Sequence, residues 1–309
     1  MTEHRTTDAQ PTAAAGPQTA FHAQEEARVR LRAESLHAGY GAHRVLDGVD
    51  LEVLEGQLTV ILGPNACGKS TLLKSLARVL TPDDGRVLLD GDPLGQLPTK
   101  QIARTLAMLP QSPAAPQGMT VADVVARGRY PHQSLLRSWS AEDERVSVES
   151  MRAASVLQLR ERPIEALSGG QRQRVWIAMT LAQQTPLVLL DEPTTYLDIT
   201  HQVEVLDLTR RLHRSGRTVV VVLHDLNLAF RYATHVVLMR DGGILAQGDP
   251  RQLVTAELIE QVFGLRCRVI EDPVSGTPLV IPELMDLEEA AAPPPVGEQF
   301  EAVPEESRS

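Results

Sequence analysis

Leu58-Thr59-Val60-Ile61-Leu62 is followed by Gly63-Pro64-Asn65-Ala66-Cys67-Gly68-Lys69-Ser70, and then by Leu72, Leu73, Leu76 and Leu80 at helical spacing. This reads as a short strand buried on both faces, a glycine loop and a helix spanning 69–80. The octapeptide fits G-x-x-x-x-G-K-[ST] in the strand-to-helix setting that this phosphate-binding motif requires. Chemistry dictates those residue types. Glycines let backbone N–H groups turn toward phosphate oxygens, and the helix start behind them favours an anion. The ammonium of Lys69 reaches terminal phosphates, and the hydroxyl of Ser70 is a ligand for Mg²⁺. A glycine turn that merely starts a helix is the plain alternative, and the strand, loop and helix together count against it.

A second apolar strand, 187–190, runs directly into Asp191-Glu192. A strand ending in a carboxylate holds Asp191 at the sheet edge, where it can sit beside a bound Mg²⁺. Glu192, one residue on, is placed to orient or deprotonate an attacking water. Alone, two acids after a strand would read as an ordinary turn; behind a phosphate loop they read as the second half of a nucleotide site.

The rest of the chain fits an α/β frame. Residues 29–36 and 49–53 alternate like half-buried strands, and 218–223 is another short apolar strand of the parallel-sheet kind. Residues 120–183 lack such runs and read as mainly helical, which predicts a helical subdomain, about 112–183, inserted into an α/β core. The ends differ in composition. Residues 1–28 are rich in Thr, Ala, Gln and Pro with no hydrophobic period, and 283–309 are acidic with a Pro293-Pro294-Pro295 run; both read as flexible extensions flanking a domain over 29–282.

Composition narrows the function. The 309 residues are 42% hydrophobic, 23% charged and 3% aromatic, those of a soluble globular chain. The longest apolar stretches are five residues, against the roughly 20 that a spanning helix needs. The first residues lack an apolar h-region, so a cytoplasmic location is expected. Of the net charge of −10, residues from 283 onward contribute −7 and the first 30 contribute −1, leaving a nearly neutral body. Nucleic-acid binders carry a basic footprint, so no nucleic-acid partner is expected. Two cysteines, Cys67 and Cys267, give neither a disulfide framework nor a metal cluster. Cys67 lies at a helix start, which lowers a thiol's pKa, and is the one reactive-looking side chain, although the plainer reading, a small residue that happens to fit the loop, is preferred.

Upstream of Asp191, Leu167-Ser168-Gly169-Gly170-Gln171 precedes a helical stretch, 172–183. Ser168 is a good N-cap, and Gly169 and Gly170 leave room for backbone donors to approach a second anion. With this pentapeptide between the two other motifs, the sequence resembles the ATP-binding cassette family, whose signature it matches. The resemblance implies a P-loop NTPase core with an inserted helical subdomain and an N-terminal antiparallel β subdomain. It implies ATP and Mg²⁺ as ligands, with 63–70, Thr71 and the signature residues Ser168, Gly169, Gly170 and Gln171 contacting nucleotide. It further implies adenine stacking by Tyr40, Mg²⁺ and water sensing by Gln111, coupling of two sites through Asp198, a general base at Glu192 and a γ-phosphate contact from His224. In the family, the signature of one copy completes the phosphate loop of another, so a head-to-tail homodimer sandwiching two ATP molecules is expected.

Cassette ATPases that act on chromosomes insert a long coiled coil between the Gln111 and Ser168 landmarks, which are only 57 positions apart here. Those that act on ribosomes carry two cassettes in one chain, and one set of motifs is present. A transporter subunit remains. The segments Arg127-Gly128-Arg129-Tyr130-Pro131-His132-Gln133, Leu197-Asp198-Ile199-Thr200-His201-Gln202 and Asp272-Pro273-Val274-Ser275-Gly276-Thr277-Pro278 resemble the ATPases of iron-siderophore uptake, a group related to haem and cobalamin importers. That likeness implies integral membrane permease subunits as partners, an extracytoplasmic substrate-binding protein acting indirectly, and a peripheral place on the cytoplasmic face of the cell membrane.

Overall fold

The computed structural model describes residues 28–133, 139–195 and 197–283. The expected N-terminal and C-terminal extensions lie outside the described residues except for Arg28 and Glu283, as does Tyr196.

Two long strands, β1 (Val29–Tyr40) and β2 (His43–Leu54), open the chain as an antiparallel pair. β3 (Leu58–Leu62), the phosphate loop and α1 (Lys69–Leu76) follow. Next come β4 (Asp84–Leu89), the short β5 (Asp92–Pro93), α2 (Thr99–Thr105) and β6 (Leu106–Leu109). The inserted helical region holds α3 (Val121–Ala126), α4 (Ala141–Ala153) and α5 (Gly169–Ala182). The core resumes with β7 (Leu187–Asp191), α6 (Ile199–Arg214), β8 (Thr218–Val222), α7 (Leu226–Tyr232), β9 (His235–Arg240) and β10 (Gly243–Gly248). Two short helices, α8 (Pro250–Leu253) and α9 (Ala256–Phe263), and the hairpin of β11 (Cys267–Glu271) and β12 (Pro278–Pro282) complete it.

One sheet runs β10-β9-β3-β8-β7-β6, parallel except for the antiparallel edge strand β10; a second, antiparallel sheet runs β2-β1-β4-β5. The fully apolar central strands are explained by burial on both faces. Along them alternate residues divide between two cores: Val60, Val219, Val221 and Leu190 face the side of α5, α6 and α9, while Ile61, Val220, Val222 and Leu189 face α1 and the antiparallel sheet. This parallel order places the ends of β3, β6, β7 and β8 along one edge, where ligands of open α/β sheets bind.

The helices of the insertion start on their own sequence. Thr120 with Asp123, Ser140 with Asp143 and Ser168 with Gln171 each form a reciprocal capping box, satisfying backbone donors at the first turns of α3, α4 and α5. Buried Arg129 binds Asp143 at 3.0 Å and the Ala182 carbonyl at 2.8 Å, fastening α4 to the end of α5.

Several boundaries differ from the sequence reading. α1 ends at Leu76 rather than Leu80: Arg78 turns into the left-handed region, and the N–H groups of Val79 and Leu80 both return to the Lys74 carbonyl. Pro82 disfavours helix at the residue before it, and Leu80 still packs on the core from outside the helix. β1 runs on to Tyr40 because an irregularity around Ser35, at φ 44°, shifts the register without ending the pairing. α5 begins at Gly169, three residues before the expected start, with Ser168 as its cap.

Candidate active site

Lys69 is buried, and its Nζ donates to the carbonyls of Gly63 at 2.9 Å and Pro64 at 2.8 Å, bracing the loop from within. Gly63 tolerates no side chain, since a Cβ there would stand 2.3 Å from the Met239 carbonyl oxygen and 2.6 Å from Cys67 Sγ. Gly68 adopts φ 104° directly before α1, a conformation that L side chains rarely take. The loop therefore keeps its shape through backbone and lysine contacts together.

Cys67 follows the plain reading, a small residue that fits the loop, and not the reactive one. Its thiol is packed beneath the loop in the core shared by β3 and α1, and burial pushes its pKa up, outweighing Lys69 nearby. The helix-start effect is overcome because the sulfur faces apolar side chains rather than solvent, so the thiol is not an activated one.

Ser70 Oγ donates to Asp191 Oδ1 at 2.8 Å, linking the phosphate loop to the end of β7. Asp191 is fully buried; its second oxygen, Oδ2, has no partner, and burial raises its pKa against the Ser70 hydrogen bond. A hydroxyl and an unsatisfied buried carboxylate oxygen at one spot suit a hard, oxygen-seeking divalent cation, so the donor set fits Mg²⁺. Among the described residues no group of three or more His, Cys, Asp or Glu could hold a metal unaided.

Glu192, at φ 49°, turns off the end of β7 with a buried side chain. Its Oε2 accepts from Gln111 Nε2 at 2.6 Å and Thr195 Oγ1 at 3.1 Å, and its Oε1 lies 2.7 Å from His224 Nε2. Three side chains, from segments that follow β6, β7 and β8, thus converge on one carboxylate. A cavity of about 270 Å³ joins Glu192 and His224 to Tyr40, Asn65, Lys69 and Ser70. Tyr40 is half exposed at its mouth, with Lys74 Nζ 6.0 Å from the ring centroid.

Ser168, Gly169, Gly170 and Gln171 do not line this cavity, and neither does Asp198. Asp198 caps α6, accepting from His201 N at 2.9 Å and lying 2.8 Å from its Nδ1; these contacts hold the Asp198 carboxyl below the usual range. A Cβ on Gly170 would stand 3.1 Å from the same imidazole, so the starts of α5 and α6 abut. Thr195 and His201 have no distinguishing motif of their own. Thr195 lies outside the segments quoted above, whereas His201 lies within 197–202, where its i to i+3 spacing from Asp198 is the signal for a cap.

Residues 46–195 match the ABC transporter family. The chain is 51% identical over 258 residues to the ferric enterobactin transport ATP-binding protein FepC of Escherichia coli (strain K12), covering 83% of this chain and 95% of that protein. The chain belongs to the ATP-binding cassette transporter family. Among this cassette's other relatives is the hemin import ATP-binding protein HmuV of Rhodococcus jostii (strain RHA1), 41% identical over 255 residues, with 82% of this chain and 86% of that one covered. A transporter assigned to the metal-chelate ABC type, solved facing inward, superposes with a TM-score of 0.71 at 27% identity, over 83% of this chain and 98% of that one. The cassette is also similar, with a TM-score of 0.63 and 27% identity over 71% of this chain and 98% of that one, to MJ0796, a cassette solved as a dimer after hydrolysis with ADP and Pi bound. None of the described helices in the present cassette is long and apolar enough to cross a membrane.

Proposed function

We propose that this cassette hydrolyses ATP as one of two identical copies and so drives uptake of ferric siderophores through separate integral membrane permease subunits, from the cytoplasmic face of the cell membrane. The observation that carries the reading is the convergence of Gln111, Thr195 and His224 on Glu192 at the mouth of the phosphate loop. The siderophore substrate is supported by the identity of 51% to the ferric enterobactin relative, against 41% to the hemin one. An extracytoplasmic binding protein would deliver the cargo, which this chain does not contact.

In this reading the loop N–H groups between Gly63 and Thr71, Pro64 having none, cradle the phosphates and Lys69 exchanges its carbonyl partners for phosphate oxygens. Tyr40 stacks on adenine. Ser70, Asp191 and Gln111 would hold Mg²⁺, which supplies charge neutralisation of the phosphate oxygens. Glu192 takes the proton from the attacking water as its oxygen bonds to the γ-phosphorus; the bond to the bridging oxygen breaks, and ADP leaves with that oxygen. Gln111 orients the water and His224 contacts the transferred phosphoryl group. Ser168, Gly169, Gly170 and Gln171 have no nucleotide of their own to bind within one copy, which supports donation of this helix start to a second copy's ATP.

Growth of a deletion strain tests the substrate. Loss of growth on ferric siderophores, with growth kept on haem and cobalamin uptake intact, is the expected result; loss on haem alone would favour the hemin-type reading.

A further inference from the structure

Away from the nucleotide site, a cavity of about 530 Å³ opens between α4, the end of α5 and α6. Its floor is apolar, built from buried Val146, Leu181, Leu208 and Leu212. Its rim carries Arg152, Arg211 and Arg217, whose side chains have no acidic partner among the described residues. The one acid there, Glu149, gives both oxygens to Arg145, at 2.7 and 2.8 Å. Arg217 is half-buried, its Nη1 is buried without a partner, and burial lowers its pKa with no anion to offset the loss of solvent. A buried guanidinium without a counter-charge is costly, and an arginine fork is shaped for carboxylates.

The chain itself carries the complementary segment. Beyond Glu283 lie 26 residues with seven acids and one arginine, among them Glu298-Gln299-Phe300-Glu301 and Glu305-Glu306. An aromatic residue between acids matches an apolar floor rimmed by arginines. The segment also has reach: the 17 residues from Glu283 to Phe300 can span about 56 Å when extended, against a radius of gyration of ~18 Å for a domain this size. We propose that segment 298–306 docks in this cavity, with Phe300 on the apolar floor and its flanking carboxylates on Arg152, Arg211 and Arg217. Docked there, the tail ties α4 of the inserted region to α6 of the core.

The test uses the full chain carrying Ser155→Cys and Gln299→Cys, since Ser155 lies exposed at the cavity and both native cysteines are buried. Mild oxidation should give a disulfide within one chain, mapped by mass spectrometry, with a yield independent of protein concentration. Adding Arg211→Glu, at an exposed position, should lower that yield at least tenfold with an unchanged melting profile, and Glu301→Arg on top of it should restore it. An unchanged yield in Arg211→Glu overturns the proposal, as does a disulfide formed only between chains. Pelleting with phosphatidylserine vesicles that is abolished by Arg211→Glu and untouched by Phe300→Ala would assign the patch to anionic lipid and equally overturn it.

Discussion

Gln111 and Glu192 stand past the ends of adjacent parallel strands, β6 and β7, and Gln111 Nε2 donates to Glu192 Oε2 at 2.6 Å. The carboxylate is thereby held at two oxygens by side chains from either side, with His224 on the other oxygen. Glu192→Gln keeps the volume and removes the proton acceptor. ATP turnover should fall by about 100-fold or more while ATP binding persists and the ATP-loaded dimer accumulates. Steady-state hydrolysis with size-exclusion chromatography checks this; wild-type turnover in the variant would remove Glu192 from the role of general base.

Lys69→Ala removes the ammonium and also leaves the Gly63 and Pro64 carbonyls without their brace. ATP affinity should drop roughly 10-fold or more, the scale of losing charge-assisted hydrogen bonds. Titration with a fluorescent nucleotide measures it, and undiminished affinity would contradict the phosphate-loop assignment.

Asp191 supplies a stability prediction whose sign opposes the usual one for an acid. Its folded pKa is raised by burial, so the fold favours the neutral form. The resulting penalty is absent below the ordinary carboxylate range and grows as pH rises through that range toward the folded value. Asp191→Asn, which can still accept from Ser70, should therefore melt higher than wild type at neutral pH without Mg²⁺, the gap closing in acid. Saturating MgATP should reverse the order, because only the wild type gains the cation's stabilisation. Melting curves at several pH values, with and without MgATP, provide the check.

Asp272 shows the ordinary sign. The Val274 N–H, the Arg231 guanidinium and the Ser275 hydroxyl hold its carboxyl far below the usual range. Its contribution is present above the unfolded value and lost as pH falls through the folded one. Asp272→Asn should lower the melting temperature at neutral pH, and the difference should shrink in strong acid. Equal melting temperatures at neutral pH would show that the Arg231 link does not hold the hairpin of β11 and β12 to α7.

Cys67, with a buried thiol of raised pKa, should react with an alkylating agent far more slowly than an exposed cysteine placed on the surface. Cys67→Ala should leave ATP affinity unchanged. Rapid labelling, with protection by ATP, would restore the thiol to the lining of the nucleotide site.

Local spacing carried much of the architecture. The strand, loop and helix around Lys69, the acids closing β7 and the capped start of α5 are each written within about twenty consecutive residues or fewer, so they are readable without tertiary knowledge. The differences arise where distant chain decides. Leu80 keeps helical spacing yet meets the core from a turn, because burial rewards position rather than conformation. The alternation of β1 breaks at Ser35, hiding its continuation to Tyr40. The burial of the Cys67 thiol rests on a core that includes Met239 of β9, about 170 residues later. Thr195 beside Glu192 and His201 against Gly170 are likewise products of the folded arrangement.

The reciprocal caps of α3, α4 and α5 draw every partner from within three residues of their own chain. These helix beginnings borrow nothing from the sheet, so a displacement of the insertion relative to the sheet would strand none of the capped amides. A motor needs a lever that moves as one stiff piece, and here the ends of the lever's helices are secured locally.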